Sequence, residues 1–279
     1  MTTIDATSGL PLRQFTGPLA DSVELHLSVG EDPVGHEPIV ALSPAVIDAW
    51  MIEVGRKYKD MEAKTRAAYL IGDIAWAFGL NLGALHLAGH GLPDVDAATI
   101  AAAPQWYRWE EGDESGDALR FTLRLLASPD ATYRPLEVEG ISALAVAAHA
   151  PLIETLFAMT RLGRSAMWRL VADALAASWL AVGKQIGREA EAMQAANAII
   201  RAPGSPLANK QIDFIEIVVR DDAQQVLGCE WFRARGGCCR YYTTEESAGE
   251  YCTTCVLRPV ESRDQRLYDH VKSKLQISA

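Results

Sequence analysis

The 279-residue chain lacks both a surplus of positive charge and a clean hydrophobic run, and each shortage excludes functions. Its 26 Lys and Arg against 36 Asp and Glu give a net charge of −10 at pH 7. Nucleic acid is therefore excluded as a partner, because proteins that bind it usually present a basic field. The most apolar segment, residues 69–92, contains Asp73, two histidines and five glycines, which is typical of a buried core helix rather than a membrane span.

Other segments that would assign the chain to a known class are missing as well. Residues 1–20 lack the basic start and apolar run of a secretory signal, so we expect a cytoplasmic protein. Peripheral contact with the inner membrane is the lesser alternative. The sequence has no glycine fingerprint for a nicotinamide or flavin and no phosphate-binding loop. The chain is therefore not expected to accept hydride directly.

Patterns of apolar residues predict an α+β protein, with a mainly helical body, a small β-sheet and a small C-terminal subdomain. Alternation predicts strands over 23–29 and 119–125, and residues 105–109 and 212–220 are strand-like too. Helices are predicted from Ser43-Pro44 onward and over 61–79, 94–103, 141–160, 164–183, 186–201 and 263–275. We divide the chain into a body over 1–222, a cysteine segment over 223–262 and a closing helix over 263–279.

The chain has only five cysteines, and all of them lie near the C-terminus: Cys229, Cys238, Cys239, Cys252 and Cys255. In the cytoplasm, clustered thiols are more often metal ligands or redox centres than structural disulfides. Two cysteines three positions apart, as in Cys-Thr-Thr-Cys, can converge on one metal ion. Adjacent cysteines both become ligands only where the backbone turns sharply, because consecutive side chains point apart.

The glycines before the adjacent pair suggest how such a turn forms. Gly236 and Gly237 are expected to supply positive φ values and to bring backbone N–H groups close to the sulfurs. The spacing leaves a zinc knuckle, a dithiol redox pair, a vicinal disulfide and unrelated buried thiols open, and it favours a [2Fe-2S] cluster. Cys229 stands outside the pattern and is expected to be a small core residue.

A resemblance adds to this interpretation. The run CCRYY, the twelve-residue gap from Cys239 to Cys252, and CTTCVLRP resemble the C-terminal segment of the FhuF-like ferric siderophore reductase family. The arginines before the pair, Tyr241-Tyr242 and Leu257 resemble that family too, over about residues 230–259, and residues 166–180 are weakly similar. The gap is two residues longer than the family's usual one, and the extra length falls in TTEESAGE, which we expect to be a solvent-facing loop.

The resemblance implies a ferric siderophore reductase, an oxidoreductase that reduces a ferric siderophore by one electron and releases Fe(II). It implies a [2Fe-2S] cluster as cofactor and makes the cysteine segment an iron–sulfur subdomain. The ligands would be Cys238, Cys239, Cys252 and Cys255, with no catalytic residue beyond the cluster. An external electron donor, of the ferredoxin or flavin reductase type, would supply the electron. The alternatives are an electron-transfer protein without siderophore specificity and a binding domain stabilised by a four-cysteine zinc site.

Four arginines surround the cysteines in sequence: Arg233, Arg235, Arg240 and Arg258. Together they are expected to tune the reduction potential or to dock a charged partner, although each one alone is expected to be a solvated surface charge. No substrate pocket is predicted. Residues 105–109 are expected to be a strand with packed rings, and His86 and His90 are not expected to bind metal.

Overall fold

The computed structural model describes residues 25–93, 95–112, 114–128, 133–135 and 137–277. These residues form six α-helices and three small sheets, so the predicted α+β fold is confirmed. The first two residues of the strand predicted over 23–29 lie outside the described residues.

The strands are β1 (Leu27–Gly30), β2 (Glu37–Pro38), β3 (Gly91–Pro93), β4 (Ile100–Glu111), β5 (Glu114–Leu126), β6 (Tyr133–Pro135), β7 (Asp213–Arg220) and β8 (Val226–Ala234). The largest sheet has the order β1-β5-β4-β2, in which β1 runs parallel to β5 and the other neighbours are antiparallel. The pairs β3–β6 and β7–β8 are separate antiparallel ribbons. The strands predicted over 105–109, 119–125 and 212–220 are thus confirmed.

The helices are α1 (Pro44–Gly55), α2 (Ala63–Leu87), α3 (Val138–Thr160), α4 (Arg164–Ile186), α5 (Glu189–Ile200) and α6 (Val260–Ile277). The hydroxyl of Ser43 caps α1 by accepting the Val46 N–H at 3.3 Å, as the sequence predicts. The helix predicted over 94–103 is wrong. Only a short 3-10 turn, Ala97–Thr99, forms there, because Ile100 and the alanines after it pair with β5.

The core lies between α2, α4 and the largest sheet. Two glycines allow α2 to approach α4 closely. A Cβ at Gly83 would lie 3.0 Å from Trp179, and one at Gly79 would lie 3.1 Å from the backbone of Leu175. Among the helices that the structure describes, α2 and α3 are long and apolar enough to cross a membrane, and 78% and 44% of their most apolar windows are buried in the protein.

The C-terminal part forms a second, smaller core. Helix α6 packs on the ribbon β7–β8 through Leu267 and Val271, which contact Ile217 and Val219. Residues 235–259, within the cysteine segment, join β8 to α6. The predicted boundary between residues 222 and 223 falls in the turn of the β7–β8 ribbon. The domain division stays a prediction.

Candidate metal centre

The two cysteine pairs meet in the fold although twelve residues separate them in the sequence. The sulfurs of Cys239 and Cys252 share one donor, Arg235 Nη1, at 2.9 and 3.4 Å, and Cys238 lies near Cys255. Adjacent cysteines thus join different pairs, since consecutive side chains point apart. Cys239 and Cys255 are buried, whereas Cys238 and Cys252 are partly exposed. The structure therefore gathers the four predicted ligands into two neighbouring thiol pairs.

A buried carboxylate on α4 fixes the chain before the adjacent cysteines. The two oxygens of Asp173 accept the backbone N–H groups of Gly236 at 2.9 Å and Gly237 at 2.8 Å. A Cβ at Gly237 would lie 3.0 Å from that carboxylate, so glycine permits the close approach. Neither glycine has a positive φ, and neither N–H is directed at a sulfur, which makes the predicted role of Gly236 and Gly237 wrong. The left-handed residue of this turn is Arg240, with φ 64°.

The Cys252–Cys255 turn is held by its own backbone and by Arg258. The Cys255 N–H donates to the Cys252 carbonyl at 3.1 Å. The Arg258 guanidinium is 6% exposed and donates to the same carbonyl at 3.2 Å and to Ser262 Oγ at 3.1 Å. It also donates to the Tyr251 carbonyl. Arg258 therefore closes this turn and is not a solvated surface charge.

Arg235 is the cation in direct contact with sulfur. Its Nη1 donates to Cys239 Sγ at 2.9 Å and to Cys252 Sγ at 3.4 Å. Burial alone would lower the pKa of Arg235, but the two sulfurs outweigh it and raise that pKa above its ordinary value. Arg235 is thus placed to stabilise negative charge on one thiol pair.

In the metal-free protein the pKa values of the two thiols of that pair are shifted in opposite directions. The hydrogen bond from Cys252, together with Arg235, lowers the pKa of Cys239 to about 5, against the opposing effect of burial. The same hydrogen bond raises the pKa of Cys252, and burial raises the pKa of Cys238. A thiolate-binding metal would therefore displace protons from these thiols.

The other two arginines contact carboxylates. Arg233 Nη1 lies 3.3 Å from Asp173 Oδ1, and its side chain is 13% exposed, so it too is largely buried rather than solvated. Arg240 donates from its backbone N–H to Cys238 Sγ at 3.4 Å, while its guanidinium pairs with Glu62 at the start of α2. The four predicted arginines thus lie near the cysteines, but they are directed at interior groups more than at solvent.

A cavity of about 380 Å³ adjoins the cysteines, and the sequence did not predict it. Its wall comes from α2, α4, β8, the cysteine segment and the loop between α1 and α2. Its lining includes the aromatic residues Tyr58, Tyr69, Trp76 and Tyr241, the charged residues Asp73, Asp173, Arg233 and Arg235, the thiols Cys239 and Cys252, and Gly72. A polar or glycine residue in an apolar helix, such as Gly72, Asp73 or Asp173, was the available signal.

Other candidate residues lie elsewhere. Cys229 is exposed on β8, so the expectation of a core position is wrong. Trp106 and Trp109 of β4 are each 37% exposed and do not line the cavity. The His86 ring packs against Trp179 at 5.4 Å. The predicted solvent-facing loop, residues 243–250, is mostly exposed, although it is anchored by buried Thr244 and Ser247.

A comparison with models of protein families finds no match, and a comparison with curated proteins finds none either. The resemblance to ferric siderophore reductases therefore rests on the cysteine segment itself. Among the described residues, no group of three or more His, Cys, Asp and Glu side chains surrounds one point as ligands of a single metal ion. The metal site and its cofactor stay predictions.

Proposed function

We propose that the chain is a ferric siderophore reductase whose four gathered thiols, Cys238, Cys239, Cys252 and Cys255, hold a [2Fe-2S] cluster. The observation that carries the proposal is that one donor, Arg235 Nη1, reaches a sulfur of each motif, Cys239 Sγ at 2.9 Å and Cys252 Sγ at 3.4 Å. A core of two irons needs two thiolates at each iron, and two neighbouring thiol pairs match that demand.

The groups around the sulfurs fit such a centre. Arg235 Nη1, the Arg240 N–H and the Leu257 N–H each approach a sulfur within hydrogen-bonding distance, the last reaching Cys255 Sγ at 3.5 Å. Hydrogen bonds to the sulfurs and nearby cations favour the more negative, reduced form of an iron–sulfur centre. Both kinds of contact would raise the reduction potential, so that the centre would accept an electron from the external donor more readily.

The chemistry of the substrate follows from the two oxidation states of iron. When bound, the cluster supplies one electron at a time. One electron converts chelated Fe(III) to Fe(II), which the hard oxygen ligands of a siderophore hold far more weakly. The chelator is released without breaking a covalent bond. The chain's own residues position the thiols, set the charge around them and form the adjoining cavity. An external one-electron donor, of ferredoxin or flavin reductase type, restores the electron.

Anaerobic purification with iron and sulfide analysis tests the proposal. We expect about two irons and two sulfides per chain and visible absorption that bleaches with dithionite. Reduced protein mixed with Fe(III)–desferrioxamine B should then release Fe(II) to a colorimetric ferrous trap. The variant Cys229→Ser is the matched control, because Cys229 is exposed and outside the motif, and it should behave like the wild type.

The outcomes separate the alternatives. A colourless protein that carries zinc would overturn the proposal in favour of a binding domain stabilised by zinc. A coloured, reducible protein that releases no Fe(II) above the blank would identify an electron carrier without siderophore specificity.

A further inference from the structure

The cavity borders only one of the two thiol pairs. Cys239 and Cys252 line it, whereas Cys238 and Cys255 do not. A molecule within it would therefore lie against the sulfurs of that pair. Its volume of about 380 Å³ is in the range of small-molecule sites.

Three buried guanidinium nitrogens of residues that line the cavity have no hydrogen-bond acceptor among the described residues. They are Nε and Nη1 of Arg233 and Nε of Arg235, although Arg233 Nη1 lies 3.3 Å from Asp173 Oδ1. A buried N–H group without an acceptor is costly, so such groups are normally satisfied by a ligand or by ordered water. Two guanidinium groups, those of Arg233 and Arg235, thus lie in the cavity wall beside the sulfurs.

The acidic groups of the wall have other partners. Asp73 Oδ2 accepts from Lys57 Nζ at 2.6 Å, and burial raises the pKa of Asp73 against the opposing effect of that lysine. The Asp173 oxygens are taken by two backbone N–H groups. Acceptor oxygens for Arg233 and Arg235 are therefore expected from the ligand.

Aromatic rings form another part of the wall. The Tyr58 ring lies 5.6 Å from the Tyr69 ring and 5.5 Å from the Tyr241 ring, and both contacts are edge-to-face. Trp76, which is 40% exposed, lines the cavity as well. Rings of this kind pack against the organic frame of a ligand.

Gly72 keeps the cavity open. The other two glycines inside α2, Gly79 and Gly83, are explained by close contact with α4. At Gly72, in contrast, no described atom lies within 4 Å of the position that a Cβ would take. Glycine inside a helix costs about 0.5–1 kcal/mol relative to alanine. Packing gives no reason for that cost, and the empty volume of the cavity gives one.

We propose that this cavity binds the oxygen-rich ferric chelate, which rests on the proposed function. Arg233 and Arg235 donate to the oxygens of the chelate, the rings of Tyr58, Tyr69 and Trp76 contact its organic frame, and the metal lies on the side of Cys239 and Cys252. The electron reaches Fe(III) from the side of Cys239 and Cys252 and reduces it to Fe(II). No covalent bond of the chelator breaks. The external one-electron donor then replaces the electron.

A redox-inert probe tests binding without testing reduction. Gallium(III)–desferrioxamine B is titrated into the wild type and into Gly72→Ala, Gly72→Leu and Gly72→Phe by calorimetry. We expect affinity to fall along the series, by at least about tenfold for Gly72→Phe. Ala158→Phe, on the exposed face of α3, adds the same ring away from the cavity and should bind like the wild type.

A loss of stability is not expected to account for weaker binding in the Gly72 variants. Each substitution replaces a helix-interior glycine by a better helix former, so thermal stability should be unchanged or higher. A dissociation constant weaker than about 1 mM for the wild type, or equal affinity for Gly72→Phe, would overturn the cavity as the binding site. A chain that lacks the visible iron–sulfur spectrum would instead overturn the proposed function, whatever the gallium titration gives.

Trp76→Ala supplies a second, independent variant. Its side chain is exposed, so its removal should leave the fold and the visible spectrum unchanged. Loss of one ring contact, worth about 0.5–1.5 kcal/mol, should weaken gallium–chelate binding roughly twofold to tenfold. Unchanged binding in both Trp76→Ala and Gly72→Phe would exclude this cavity.

Discussion

The chain before the adjacent cysteines and the chain after them are anchored in different ways. Before the pair, Gly236 and Gly237 are fixed by a carboxylate, Asp173, that is 2% exposed within the core. After the pair, Arg240 is held by Glu62, whose side chain is half exposed at the start of α2. Charges are worth most where water is excluded. The upstream side should therefore control stability and potential, and the downstream side should matter little.

The largest effect is expected at the upstream anchor. Asp173→Asn removes one charge from a buried pair and directs an amide N–H₂ toward groups that are themselves donors. We expect the free energy of unfolding to fall by about 3–5 kcal/mol, because the Arg233 charge stays buried without a partner. Urea denaturation of the metal-free, reduced protein measures this loss.

A matched control tests whether burial causes the effect expected for Asp173→Asn. Asp117→Asn makes the same change on β5, where the carboxylate is 71% exposed and lies 3.7 Å from Arg108. Its effect should stay within about 0.5 kcal/mol. Equal effects of the two variants would mean that burial does not distinguish the upstream anchor.

The next effect concerns the cation that contacts sulfur. Arg235→Met removes the donor to Cys239 and Cys252, together with its positive charge. A hydrogen bond to a charged group contributes about 1.5–3 kcal/mol. For a one-electron couple this corresponds to roughly 60–130 mV, and the midpoint potential should become more negative, because the reduced form carries the extra negative charge.

A redox titration followed in the visible spectrum measures that shift. Arg235→Lys keeps the charge but replaces the planar guanidinium and its several N–H donors by a single ammonium group. Its midpoint potential should therefore lie between those of the wild type and Arg235→Met. Identical potentials in all three proteins would contradict a tuning role for Arg235.

Much of this site could be predicted from the sequence, and the remainder has a physical explanation. Spacing made the four cysteines candidates, but the rule that consecutive side chains point apart predicted only a sharp turn at Cys238 and Cys239, not which cysteine each of them lies near. The helices were predicted by their apolar periodicity. Asp173 lies among the apolar residues of α4, and this pattern did not identify it as part of the site. Its contact with Gly236 spans 63 positions, and periodicity carries no information about such pairing.

The arginines show the same limit. Their number and place near the cysteines were evident, but not which ones are buried. Arg233 lies at the end of β8 and Arg235 is the residue after the strand. Both side chains are largely buried in the fold. Arg240 follows the adjacent cysteines, and its guanidinium pairs with Glu62 at the start of α2. The direction of a side chain follows from tertiary packing, so the sequence indicates only that four arginines lie near the cysteines, whereas the structure gives them different contacts.

The smallest effect is expected at Arg240, and it tests the downstream half of the comparison. The residue has φ 64°, which glycine adopts without strain. Arg240→Gly therefore removes the guanidinium and keeps the N–H that donates to Cys238 Sγ at 3.4 Å. A partly exposed ion pair contributes about 0–1 kcal/mol, so the midpoint potential should shift by less than about 40 mV. Relief of the left-handed strain should offset the lost pair with Glu62, which leaves the free energy of unfolding nearly unchanged. A potential shift as large as that of Arg235→Met would show that the charge acts from both sides of the cysteines, and the contrast between buried and exposed anchors would then not explain the potential.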